Sequence, residues 1–389
     1  MKKFSSLVLL TGLAAWPGLL LAAGGPLTVK AVNKLPLARG SQTIELAAKA
    51  LAPLGTNLSL IRVTDATGKE LLCQAVDTDY DDFHRPDIVI FQSDFAPNET
   101  KSFTVTTGRA RPYTKDDFKA HGRFVRERFD DFAWENDRIA HRAYGKALET
   151  WKGEPLTSSG IDIWSKRTTR MVVDEWYMVD DYHADAGEGC DDYSVGASRG
   201  CAGTGIWLDN KLNVSRNFVD SRVLANGPIR VMFELVYPAF DAGNLKVTEA
   251  RRISLDAGSQ LDHFQSLYTF NGSAPGALCG IGLKKARGAE KTFNADHAWL
   301  ATWEPMEKNM GMHGLGLIVD PKSLDHSAED AQNYLLLLKQ PAVNVPVSCW
   351  AGFAWDRAGK ITSADAWKKY MDEFSQGIAS PIEVTVSGQ

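Results

Sequence analysis

From residue 27 onward, apolar and polar positions alternate in short runs, the period of a half-buried β-strand. LTVKAV (27–32), QTIELAA (42–48), LSLIRVTD (58–65), ELLCQAV (70–76), DIVIFQSDF (87–95) and KSFTVTTG (101–108) follow it. Turn chemistry separates them, at Asp65-Ala66-Thr67-Gly68 and Ala96-Pro97-Asn98-Glu99. The pattern predicts a small N-terminal β-sandwich over 24–111 and a polar linker, PYTKDDFKAHG, over 112–122. Strands recur afterwards: MVVDEWYMV (171–179), NFVDSRVLA (217–225), IRVMFELVYPA (229–239), LKVTEARRISL (245–255), HFQSLYTF (263–270), GLGLIVD (314–320) and NYLLLLK (333–339). So many strands with so few helical periods predict a mainly β chain, with a large antiparallel sandwich over 123–389. One helix stands out near the end. Ser363 opens it, Trp367, Tyr370, Met371 and Phe374 form its apolar stripe, and Gly377 is its expected stop.

The first 23 residues change the setting. Lys2 and Lys3 precede an apolar run that ends in Ala22 and Ala23, the pattern of a secretory signal peptide. No later run is long enough to span a bilayer. Loss of the leader's lysines takes the formal charge from −5 to −7, which argues against a nucleic-acid partner. An oxidising compartment permits disulfides. Cys190 and Cys201 flank glycines and are spaced to close a short loop, although five cysteines leave one unpaired. No CxxC spacing supports a zinc site.

Three stretches hold candidate chemistry. In RFDDFAWENDRIAHRAYG (128–145), a single strand would place Trp134, Asn136, Arg138, Arg142 and Tyr144 on one face and His141 on the other. Such a face suits a groove for a carboxylated or hydroxylated ring, since guanidinium pairs a carboxylate, indole stacks and phenol moves a proton. A solvated face of ion pairs is the alternative. In SSGIDIWSKR (158–167), a strand would point Lys166 and Arg167 to opposite sides, so that one could enter that groove, surface charge being the usual reading of such a pair. In YHADAGEGCDDYSVGASRGCAG (182–203), His183 precedes Asp185, Glu188, Asp191 and Asp192 among glycines. A histidine there is a candidate acid or base. The oxygen count also admits a divalent cation, though the spacing fits no EF-hand, and a purely structural loop is the leading alternative. His84, His263, His297 and His313 read as structural. Motifs of serine hydrolases, zincins and nucleotide enzymes are missing, while paired carboxylates for glycoside hydrolysis stay open.

Together, FxWENDRIAxRxYGxALE, SGIDIWSKR and YH…GEGCDDYSVGASRGCAG resemble a secreted bacterial family catalogued as domain of unknown function 4861. The resemblance spans nearly the whole chain after the leader. It implies a galactose-mutarotase-like β-supersandwich, a place in the breakdown of uronic-acid polysaccharides, and removal of water from a terminal uronic acid. Its blocks map onto Trp134, Glu135, Asn136, Arg138, Arg142, Tyr144, Lys166, Arg167, His183, Glu188, Asp191 and Tyr193. His141 departs from it, because that position is more often aromatic in the family. The expected enzyme performs β-elimination on a uronic-acid oligosaccharide without a cofactor. Arg142 would clamp the carboxylate with Lys166 or Arg167 assisting, His183 would be the base, and Tyr144 the acid. Hydrolysis, epimerisation and simple glycan binding are the alternatives.

Overall fold

The computed structural model describes residues 25–78, 85–153, 155–179, 182–340 and 344–388. The expected leader and His84 lie outside them. The strand Leu245–Asp256 shows why the chain folds as sheet. Its residues are buried at alternate positions, from Leu245 and Val247 to Ile253 and Leu255, so one face enters a core. Two of the inward residues are charged, and they pair with each other, Arg251 with Glu249 at 2.9 Å. This strand lies third in an eight-stranded antiparallel sheet. The order is Asp220–Asn226, Arg230–Ala242, Leu245–Asp256, Leu261–Asn271, Val347–Trp355, Met312–Val319, Trp299–Pro305 and Glu290–Asn294.

Two five-stranded sheets face it. The site sheet runs Gly189–Cys190, Ile161–Lys166, Ala140–Ala143, Asp131–Asn136 and Ala120–Val125. The flanking sheet runs Lys211–Asn213, Cys201–Leu208, Leu278–Lys284, Asn333–Leu338 and Leu324–Glu329. A parallel bridge between Ile161 and Gly200 joins them into one layer. Between the layers Phe132 stacks on Phe233 at 4.0 Å, and Ile163, Ile206, Leu315 and Phe353 fill the space. The mainly β expectation therefore holds, and the second layer leaves its outer face for other use.

The N-terminal strands make a separate core of their own around Val29, Ile44, Phe91 and Phe103. The last strand, Glu383–Gly388, pairs antiparallel with Leu27–Val32, so the chain's end returns to the N-terminal sheet. Strand Ala120–Val125 begins inside the stretch expected to be linker. Ser363 caps the helix Ala364–Ala379 by accepting the Ala366 N–H. The helix buries Trp367 and Met371, and Gly316 permits the approach, since a Cβ there would lie 2.4 Å from Met371 Sδ. Gly377 does not end it. Arg39 donates to the Gly377 and Ser380 carbonyls at 3.2 and 2.8 Å, meeting acceptors that a glycine turn would otherwise satisfy.

The expected Cys190–Cys201 disulfide is corrected, because all five cysteines are free. Cys190 sits in the edge strand opposite Ser165. Cys201 begins a core strand with its sulfur 3.4 Å from the Gly352 carbonyl. The two thiols serve different sheets.

Candidate active site

The stretch 128–145 is a hairpin rather than one strand. Asp131–Asn136 turns at Asp137 and Arg138 and returns as Ala140–Ala143. Asn136 makes the turn. Its side-chain oxygen accepts from the Arg138 and Ile139 N–H groups, and its amide donates to the Asp256 and Ser259 carbonyls. The turn resets the alternation, so the single-strand face assignment fails. Trp134 now pairs with His141, while Arg142 pairs with Ala133 and, on its other side, with Asp162.

Trp134 and His141 therefore face the core. Their rings stack at 5.3 Å, and Trp134 Nε1 donates to Asp262 at 2.6 Å while His141 Nε2 lies 2.9 Å from the same carboxyl. Trp134 is fully buried and offers no face to a sugar. Arg138 stays in the turn, 3.7 Å from Asp137.

The outer face presents Asp131, Glu135, Arg142, Asp162 and Lys166, all buried. Lys166 is committed to structure. Its ammonium donates to Glu135 and to the Asn136 and Arg170 carbonyls. Glu135 also accepts the Val172 and Val173 N–H groups. That anchor explains why MVVDEWYMV, expected as a strand, forms the helix Val173–Tyr177 instead: a carboxylate on the first free N–H groups favours helical backbone. Arg167 leaves the strand's end to pair with Asp185 at 2.6 Å and to lie over Trp355. Glu188 pairs with Arg170 at 2.8 Å.

Residues 172–179 and 182–193 pack over this face, and Asp191 meets Arg142. The Arg142 guanidinium bonds Asp131 at 2.7 Å and lies 3.9 and 3.8 Å from Asp162 and Asp191. Its Cζ sits 4.9 Å over the Tyr144 ring. Three buried carboxyls thus crowd one guanidinium, and they cannot all ionise together. Burial pushes Asp131 up to about 6, against the pull of Arg142. Burial likewise raises Asp191 to about 7, and it raises Asp162 well above the carboxylate range, with the Asp191 charge adding to the effect.

Those shifts make a stability prediction. A carboxyl whose folded pKa lies above its unfolded value of about 3.9 binds more protons when folded. Its contribution is full at low pH and lost as pH rises through the folded value. Asp191→Asn should therefore gain thermal midpoint relative to the parent as pH rises from about 4 to about 7. Differential scanning fluorimetry across that range checks it. A pH-independent difference would mean that the Asp162–Asp191 pair holds no extra proton.

His183 lies at the open side of this cluster, its side chain 47% exposed. Nδ1 is 2.8 Å from the Asp191 backbone carbonyl and 3.5 Å from the Asp191 carboxyl. A carbonyl only accepts, so Nδ1 carries a proton, and in the neutral ring the lone pair is on Nε2. The ring packs on Tyr182 at 4.4 Å, and the Tyr182 hydroxyl accepts from Arg128. Burial raises the Tyr182 phenol, with Arg142 and Arg128 pulling it back. The Tyr177 hydroxyl is buried near Arg142 without a partner.

The structure thus brings His183, Asp191, Arg142 and Tyr144 into one cluster. It leaves Trp134, Asn136, Arg138, Lys166, Arg167 and Glu188 in other roles. Tyr193 is buried elsewhere, 5.6 Å from His313. Sequence reasoning missed Asp131, Asp162, Tyr177, Tyr182 and Arg128. Only Tyr182 had a local signal, its place beside His183. Among the described residues, no group of three or more His, Cys, Asp or Glu side chains is arranged to hold a metal ion.

A family profile described as domain of unknown function (DUF4861) matches residues 32–384. Uncharacterized protein P7 of Formosa agariphila is 32% identical over 380 residues, covering 92% of this chain and 93% of that protein. Among solved structures, an α-mannosidase from Enterococcus faecalis V583 superposes with a TM-score of 0.51 at 10% identity. A glycosyl hydrolase family 38 protein from Enterococcus faecalis gives the same score and identity. Each covers 93% of this chain, but the chain spans only 46% and 47% of theirs, so the likeness is one of fold.

Proposed function

We propose that this chain, which belongs to the DUF4861 family, is a secreted enzyme that performs β-elimination on a uronic-acid-containing oligosaccharide. The observation that carries this reading is the half-exposed His183 imidazole, held through Nδ1 by the Asp191 carbonyl and packed beside a phenol, which leaves Nε2 as its available nitrogen. In a uronate the C5 proton lies α to the carboxyl group, and a cation on that carboxylate makes it acidic. His183 Nε2 takes the proton, the C4–O bond breaks as the C4=C5 bond forms, and the leaving oxygen receives a proton. Tyr182 supplies that proton better than Tyr144. Its oxygen accepts from Arg128, which leaves its own O–H to donate, whereas Tyr144 lies beneath Arg142, where burial and the Asp162 charge hold its phenol well above the usual range. Release of hydroxide as water makes the enzyme a dehydratase, and release of a sugar makes it a lyase. The reaction as written uses side chains alone.

A second reading has its own support. The raised Asp162 and Asp191 carboxyls are the kind of groups that protonate a glycosidic oxygen, so hydrolysis on the same scaffold competes. The known likeness to mannosidase folds agrees with either reading, since fold does not fix chemistry. The assay that separates them incubates the purified protein with ulvan, pectin and alginate oligosaccharides and follows the ultraviolet absorbance of the conjugated uronate. Elimination gives a rising signal. Saturated products without absorbance would replace it with hydrolysis.

A further inference from the structure

We infer that Arg128 receives the substrate carboxylate, and that the mouth it forms with Tyr182, His183 and Trp151 selects a uronic acid over its neutral counterpart. The inference rests on the elimination reading for the identity of the sugar, but its physical basis is separate. It lies in which cation near the site is unclaimed.

The cations on the site sheet and in the segment over it are taken. Arg142 is bonded to Asp131 and flanked by Asp162 and Asp191. Lys166 is tied to Glu135, Arg167 to Asp185, and Arg170 to Glu175 and Glu188. Arg123 pairs with Asp174 and Glu127. A substrate carboxylate brought to Arg142 would meet three acids around a single guanidinium.

Arg128 differs. Among the described residues no carboxylate lies within ion-pair distance of it. One Nη donates to the Tyr182 hydroxyl, and Nε is buried without a partner. A guanidinium has five N–H donors in a planar fork, and a carboxylate fits that fork with two parallel bonds. Two aromatic rings pack against the fork. Its Cζ lies 4.9 Å from the Tyr182 ring and 5.9 Å from the Trp151 ring, and Phe129 stacks on Trp151 at 4.3 Å. Tyr182 also packs on His183, so the base and the cation flank one ring. The nearest carboxyls, Asp131 and Asp191, lie against Arg142 and not against Arg128.

The backbone is built to hold this arginine in place. Arg128 ends a short 3₁₀ turn, and the next two residues, Phe129 and Asp130, have φ of 57° and 64°. Two successive left-handed residues that are not glycine persist only where the surroundings enforce them. Here Gly145 does so. Its N–H donates to Asp131 at 2.9 Å, and a Cβ at Gly145 would lie 1.8 Å from the Asp130 carbonyl oxygen. The close approach of the two strands at Gly145 therefore fixes the turn that aims Arg128 at the mouth.

The test is calorimetric titration of glucuronate, galacturonate and glucose into wild type, Arg128→Gln, Arg128→Lys and Arg167→Gln, with circular dichroism confirming the fold of each. Wild type and Arg167→Gln should prefer the uronates to glucose. Arg128→Gln should lose uronate affinity roughly 10–100-fold, the loss expected for a charge-assisted paired contact, and should keep its glucose affinity. Arg128→Lys should fall between, because it keeps the charge and loses the fork. Unchanged uronate binding by folded Arg128→Gln overturns the inference, as does a wild type that binds no uronate. The two readings fail separately. Uronate binding through Arg128 with no unsaturated product sinks elimination alone. Unsaturated product formed by Arg128→Gln at unchanged KM sinks the role of Arg128 alone.

Discussion

Replacing His183 by glutamine is expected to lower turnover of a uronic-acid oligosaccharide by roughly 10²–10⁴-fold, with KM little changed. Glutamine preserves the shape and one N–H donor of the imidazole. It cannot take a proton from carbon. The loss therefore isolates proton abstraction from positioning. The side chain is 47% exposed, and a substitution there should change stability by no more than about 0.5 kcal/mol. Steady-state kinetics alongside thermal melts check both halves. A decrease below about tenfold in a folded variant would remove His183 from the chemistry and shift attention to the buried carboxyls.

The second large effect concerns the fold over the site. Glu135→Ala should destabilise the protein by about 3–5 kcal/mol, the range for stripping one partner from a buried ion pair. Three losses coincide. The Lys166 ammonium is left buried with only the Asn136 and Arg170 carbonyls. The Val172 and Val173 N–H groups lose their acceptor. The helix Val173–Tyr177 loses the charge at its start. That helix carries Tyr177 and leads into Tyr182 and His183, so activity should fall with stability. Lys166→Met in the same background should recover part of the loss, because the uncompensated cation is gone while the unmet N–H groups remain. Urea denaturation measures each term. A cost under about 1 kcal/mol for Glu135→Ala would show that the pair lies in water and not in a dry interior.

The division of the chain into strands was legible because period-two burial is a local property. Leu245–Asp256 shows it as alternate burial, and Asn333–Leu338, buried on both faces, reads as a continuous apolar run. The misses share a cause, which is tertiary context. VVDEWY is apolar and β-branched enough to be a strand, and only Glu135, far back in the chain, turns it into a helix. Gly377 looks like a stop, and only Arg39 lets the helix run past it. Residues 128–145 read as one strand because nothing in their composition marks a hairpin. Asn136 marks it in three dimensions by bonding the turn's N–H groups, and that single turn moves Trp134 to the core and leaves Arg142 outside. Cys190 and Cys201 had the spacing of a staple, but spacing says nothing of which sheet each thiol enters. For the site, the composition of the 182–193 stretch pointed to His183 and Asp191. Arg128 was invisible, because its importance rests on a partner it lacks and a strained turn that Gly145 enforces.

The central claim is that Arg128, Tyr182 and His183 receive a uronate and eliminate across its C4–C5 bond. A crystal structure of His183→Gln soaked with a uronic-acid disaccharide tests it most directly. The account predicts the carboxylate paired with Arg128, C5 facing the position-183 side chain, and the leaving oxygen toward the Tyr182 hydroxyl. A sugar seated instead against Asp162 and Asp191 with its anomeric carbon, or one bound with Arg128 turned away from its carboxylate, would contradict it.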